Sequence, residues 1–159
     1  YPAPDGKPDT LTLPDNLWII GTMNTAARSI ALIDYAIRRR FRFIDVLPNP
    51  SVFGTYYKAG RAARVTRLFE TLNGVVEEQR LHIGHSYFLV DPEEEDWAGR
   101  LTRRIVYEVL PLLREYQQEG FLKTPNLERP FAEVDLRRSM TAEETIVLER
   151  SLVADLQGD

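Results

Sequence analysis

The sequence contains no cysteine, two histidines and two methionines in 159 residues. Without cysteine there are no disulfide staples, no Cys-ligated zinc and no thiol nucleophile. Lysine is scarce as well: only Lys7, Lys58 and Lys123 among the 20 basic residues, the rest being arginine. No apolar run approaches the roughly 20 residues a membrane helix needs. The opening residues "YPAPDGKPDT" do not show the basic, apolar and small-residue succession of a signal peptide. These absences make a cytoplasmic location the default expectation, with no membrane partner. A net charge of −4 argues against a chain covered by a nonspecific nucleic-acid surface. Internal repeats and low-complexity tracts are also missing.

What is present is ordinary for a globular protein, with 43% hydrophobic and 28% charged residues. Residues 1 to 15, rich in Pro, Asp and Gly, read as an extended loop or hairpin. Leu17, Trp18, Ile19 and Ile20, closed by Gly21, suit a strand buried on both faces. Ile30, Ile33 and Ile37 recur at helical spacing behind a cap at Ser29. Phe41 to Leu47 returns to strand composition and stops at Pro48-Asn49-Pro50, where two residues have no backbone donor. Strand, helix, strand is the unit of a parallel α/β sheet.

After residue 50 the spacing predicts helices. Val65, Leu68, Phe69, Leu72, Val75 and Val76 follow one helical face, with Asn73 and Gly74 as a stop or distortion. The "LHIGHSYFLV" segment, 81 to 90, reads as a loop or short hairpin. Asp96 is placed to cap a helix whose face holds Trp97, Leu101, Ile105, Val109, Leu112, Leu113 and Tyr116, ending at Gly120. Pro111 should kink it, because it removes a donor and crowds the preceding turn. A last amphipathic helix starts at Thr141, with Ile146, Leu148, Leu152, Val153 and Leu156 as its apolar positions.

Several side chains invite a chemical reading and a structural one. Asn24 follows directly on the first predicted strand, where open α/β sheets place ligands. It could orient a water at a phosphate, or with Thr25 it could satisfy turn backbone groups. Arg38, Arg39 and Arg40 sit at a predicted helix C-terminus, where cations complement the dipole. Successive helical residues point about 100° apart, so at most one or two of the three could serve one ligand. His82 and His85 lie three apart with no third ligand nearby, so no metal site is expected. The carboxylates of "DPEEED", 91 to 96, read as a solvated loop with a helix cap. Tyr56 and Tyr57 beside Lys58 could stack bases or pack in a core.

"LPDNLWIIGTMNTAARSIALIDYAIRRRF" closely resembles a stretch shared by the McrB family, the AAA+ motor subunits of methylcytosine-dependent restriction systems. "LNGVVEEQRLHIGHSYF" and "VLPLLREYQQEGF" extend the resemblance, in order, from about Leu13 to Phe121. It implies an α/β fold: the C-terminal part of an AAA+ core in residues 1–50, an α-helical lid in 51–125 and a C-terminal helical extension in 126–159. It further implies that Asn24 is the sensor-1 asparagine beside the γ-phosphate and the attacking water. Arg39 would be the arginine finger entering a neighbouring subunit's nucleotide site, with Arg40 at the same boundary. Arg28, Thr25 and His85 would lie at the nucleotide or the subunit interface.

The implied substrate is GTP or ATP with Mg2+, and the implied partners are neighbouring subunits in a ring, a hexamer in such systems, and a McrC-like nuclease. DNA would be read by a separate domain. Two departures qualify this. The family's MNTADRS reads here with Ala27 in place of the aspartate, which leaves Arg28 without that ion-pair partner. The sequence also holds no GxxxxGK[ST] and no apolar strand ending in Asp-Glu, parts expected upstream of Tyr1. Residues 1–159 therefore read as part of an NTPase and as inactive alone. The alternative is a degenerate, non-enzymatic AAA+ subunit that serves assembly.

Overall fold

The computed structural model describes residues 13–23, 39–124 and 126–158. The chain divides into two units, Tyr1–Ile33 and Asp34–Asp159. In the first, residues 13–23 are exposed and carry one turn, in which the Leu17 amide donates to the Pro14 carbonyl at 3.1 Å. Trp18 is 87% and Ile20 90% exposed, where the sequence predicted a strand buried on both faces.

The expected α/β fold is therefore corrected to an α-helical one. Among the described residues there is no strand, and the extended backbone pairs only at a single antiparallel bridge between Val76 and Leu122. Residues 42–49 run without regular structure, and Val46 is 89% exposed. A strand needs ladder partners for its backbone and covering layers for its faces. Among the described residues neither segment has them. The predicted helix at 30–37, its Ser29 cap and Arg38 lie outside the described residues.

The second unit owes its core to helices. A short α1, Val52–Tyr56, buries Phe53 and leads into α2, Ala59–Gly74. On α2 the buried Ala62, Val65, Leu68, Phe69 and Leu72 fall on one face, and Gly74 ends the helix as its sequence suggests. A 3-10 turn, Gln79–Leu81, leads into the segment expected as a loop or short hairpin, 81 to 90, and a second, His85–Phe88, lies within it. Phe53, Phe69 and Phe88 meet edge-on or tilted with centroids 5.3 to 6.0 Å apart, the geometry aromatic quadrupoles favour.

Next comes α3, Trp97–Arg104, which passes through a π turn at Ile105–Val109 into α4, Leu110–Glu119. Pro111 stands in the first turn of α4. The disturbance expected there takes the form of this wide turn, which accommodates the lost donor and the ring where α-helical bonds would clash. It also shifts the inward face, so that Leu110 and not Leu112 is fully buried. Gly120 closes α4 at φ 78°, and the Phe121 amide reaches back to the Tyr116 carbonyl at 2.9 Å. Asp96 precedes α3, yet its carboxylate pairs with Arg103 at 2.9 Å and does not cap a backbone amide.

The last helix, α5, is Ala142–Gln157. Its start is a capping box: the Glu144 amide donates to Thr141 Oγ1 at 3.2 Å, and the Thr141 amide to Glu144 Oε2 at 2.8 Å. Arg138 donates to the same carboxylate, and together these hold the Glu144 carboxyl pKa down at about 2. Leu148, Leu152 and Leu156, one turn apart, bury against α2 and α3. Leu127, Phe131, Val134 and Leu136 from the preceding loop join the same cluster as Phe53 and Leu68. Residues 126–158 thus share one core with the helices before them.

That arrangement predicts a single cooperative unit for the described part of the second unit. Leu152 has no exposed surface, so Leu152→Ala should cost about 2 to 5 kcal/mol from lost burial plus the cavity left behind. In urea the helical signal and the Trp97 fluorescence should still move together. Separate transitions for the two probes would show that α5 is an independent element.

Candidate functional site

Of the residues the sequence singled out, Asn24, Thr25 and Arg28 lie outside the described residues, as does Ala27. Arg39 and Arg40 form an exposed turn at the head of the 42–49 segment. Neither makes an ion pair or a hydrogen bond among the described residues. His85 stands elsewhere in the same unit, half-buried at the start of its 3-10 turn. The structure does not bring it against the arginines directly. It touches their segment at Asn49, whose backbone amide donates to His85 Nδ1 at 3.4 Å. Asp45 and Arg80 form a second link at 3.5 Å.

The segment around His85 has no ladder and only the two backbone bonds of its 3-10 turn, Tyr87 to Gly84 and Leu89 to Ser86, and side chains satisfy further groups. Asn73, buried on α2, accepts from the Ile83 amide at 2.6 Å and donates to the Ile83 carbonyl at 3.3 Å. The Tyr57 hydroxyl donates to the Phe88 carbonyl at 2.7 Å and accepts from the Val90 amide at 2.9 Å. Burial pushes that phenol above its ordinary range, which keeps it a donor. Arg104 of α3 donates to the Leu89 carbonyl at 2.9 Å and to the Ser86 carbonyl at 3.3 Å. Three side chains from different parts of the chain thus hold nine consecutive residues, His82 to Val90, without a single ladder bond.

Sequence reasoning placed Asn73 at a helix stop and left Tyr57 open between stacking and packing; the structure makes both of them clamps. Tyr57 is 4% exposed and so is not a platform for bases, while Tyr56 beside it is 42% exposed. Arg61 lies over the Trp97 ring at 4.0 Å, a cation–π contact that holds the first turn of α2 against the start of α3. A signal for the clamps was present in one form only: Asn73 is a polar residue inside an apolar stripe, which calls for a partner.

The cation and ligand capacity of the described residues is small. No group of three His, Cys, Asp or Glu among them is placed to hold a metal. His82 is pushed below its ordinary range by burial, and His85 spends Nδ1 on Asn49. An open groove of about 430 Å³ between α3 and α5 is lined by Thr102, Arg103, Glu149 and Val153. Another of about 270 Å³ lies at Tyr56, Lys58, Arg61 and Glu93. Neither includes Arg39, Arg40 or His85.

Residues 64–123, which include α2, the clamped segment, the π turn and α4, match the family model "McrB, alpha-helical lid domain". The chain is 34% identical over 122 residues to the "Type IV methyl-directed restriction enzyme EcoKMcrB subunit" of Escherichia coli (strain K12). The chain is McrB-like. That alignment takes in 65% of the McrB-like chain and 26% of the relative, so the chain spans about a quarter of that protein's length. No solved structure matches it. The matched residues include Asn73, Arg104 and His85, while Tyr57 precedes them. Among the described residues no helix is long and apolar enough to cross a membrane.

Asn73→Ala removes both halves of the grip on Ile83 and leaves a buried amide without an acceptor. The lid should lose about 1 to 3 kcal/mol, read from urea denaturation followed by circular dichroism. A loss of less than a few tenths would mean that water or another group satisfies Ile83, and that the clamp is incidental.

Proposed function

We propose that the McrB-like chain is part of a nucleotide-driven subunit of a methyl-directed restriction system, with 51–125 as its lid. Its substrate would be GTP or ATP with Mg2+, and its partners neighbouring subunits in a ring together with a McrC-like nuclease. The support is the lid match over 64–123 and the identity to a subunit whose name states a methyl-directed restriction enzyme.

Within that reading Arg39 acts on a nucleotide held by the neighbouring subunit, with Arg40 beside it, and Asn24 acts on the nucleotide of its own subunit. The observation that favours Arg39 is its state: exposed, and without an ion-pair or hydrogen-bond partner among the described residues. A guanidinium is always charged and presents a planar fork of donors. It suits the spread of charge over the equatorial oxygens in phosphoryl transfer, where an arginine of this kind contributes on the order of 10³ to 10⁵ in rate. The phosphates and Mg2+ would be held by residues that lie outside this 159-residue sequence, in keeping with the absence of GxxxxGK[ST] from it.

A second reading, a subunit that assembles without catalysis, is favoured by Ala27 where the family motif has aspartate. The two separate in one experiment. Subunits carrying Arg39→Ala are mixed with subunits whose P-loop is disabled, each inactive alone. Recovered hydrolysis in the mixture is expected if Arg39 works across the interface. No recovery at any ratio would remove that role, and wild-type subunits without turnover would favour the assembly reading.

A further inference from the structure

Pro48 and Pro50 have no backbone N–H, so Asn49 carries the only amide donor in the three residues that join the arginine-bearing segment to α1. That donor goes to His85 Nδ1, 36 residues further along the chain. The Asn49 side chain turns the other way and accepts from the Ser51 amide at 3.0 Å, where α1 begins. His85 cannot drift with the linker, because its turn is pinned on both sides. Asn73 holds Ile83 before it, and Arg104 and Tyr57 hold Ser86 to Val90 after it. A ring nitrogen that accepts from an amide carries no proton, so the imidazole is the tautomer with its proton on Nε2.

We infer that His85 is a positioning residue: its Nδ1 latches the 48–50 linker to the lid through the Asn49 amide, so that the turn bearing Arg39 and Arg40 follows the lid. Nine steps separate Arg40 from Asn49, about 30 Å if extended, so what the latch sets is the point from which the arginine-bearing turn departs. With the latch closed, that span starts from a fixed point. The pair of Asp45 and Arg80, both more than half exposed at 3.5 Å, adds a weaker tether halfway along. The consequence for hydrolysis rests on the role proposed for Arg39, whereas the latch itself does not.

The test uses the 159-residue chain labelled for NMR, with two variants. His85→Leu removes the acceptor. His85→Asn returns a carbonyl oxygen to the place of Nδ1. The Asn49 amide should exchange about tenfold faster in His85→Leu than in the wild type, the loss of one ordinary hydrogen bond. His85→Asn should restore it, and Ile83 protection should stay unchanged in both. The ring nitrogens of the wild type should report a proton on Nε2. Equal Asn49 exchange in the wild type and in His85→Leu, or a proton on Nδ1, would overturn the latch. Should His85→Leu fail to fold, the wild-type tautomer and the Asn49 exchange measured against a free Pro-Asn-Pro peptide decide it. In the mixed-subunit assay His85→Leu should lower recovered hydrolysis at least tenfold, on the order of one lost interaction, with His85→Asn restoring it. Failure of Arg39→Ala to complement removes the arginine's role and leaves the latch, while unchanged Asn49 exchange removes the latch and leaves the arginine.

Discussion

The backbone of His82 to Val90 enters a helical core with only a single 3-10 turn of its own, and each buried amide and carbonyl that the turn leaves over must still find a partner. Asn73 meets the most demanding part of that requirement. It is 4% exposed and spends both ends of its amide on Ile83. Its worth lies less in the net energy of two hydrogen bonds than in the penalty avoided, since a buried unpaired donor costs about 1 to 3 kcal/mol. Once Ile83 is fixed, Phe88 reaches the aromatic cluster with Phe53 and Phe69, and His85 is carried to the linker.

Around that clamp the helices close a single core. The π turn at Ile105–Val109 lets the chain pass Pro111 and still present Ile105, Val106, Val109, Leu110 and Leu113 inward. α5 then covers α2 and α3 with leucines one turn apart, and the loop before it adds Phe131 and Leu136 to the interior.

Much of this was legible in the sequence, and the parts that were not share a physical cause. The start of α5 was read at Thr141, and the structure shows why it falls there: with Glu144 it forms a capping box, which is local chemistry. The inward face of α2 and the stop at Gly120 were likewise local. Leu17 to Ile20 and Phe41 to Leu47 read as buried strands because apolar runs carry no information about what covers them, and among the described residues no strand runs beside either. The contribution of Leu127, Phe131, Val134 and Leu136 to the core was hidden by irregular spacing. The clamps were hidden because Asn73, Tyr57 and Arg104 find their partners in a segment without periodicity. Of the candidate site, the family likeness was visible from motifs between about Leu13 and Phe121, while the link from His85 to Asn49 required coordinates.

The clamped segment either belongs to the global core or is a surface loop that happens to lie against it. Native-state hydrogen exchange of the chain separates the two directly. If the side-chain clamps hold the segment, the Ile83 and Val90 amides exchange only with global unfolding, at the same free energy as the interior amides of α2 and α5. Exchange of Ile83 and Val90 through a local opening several kcal/mol below that of the helices would contradict it.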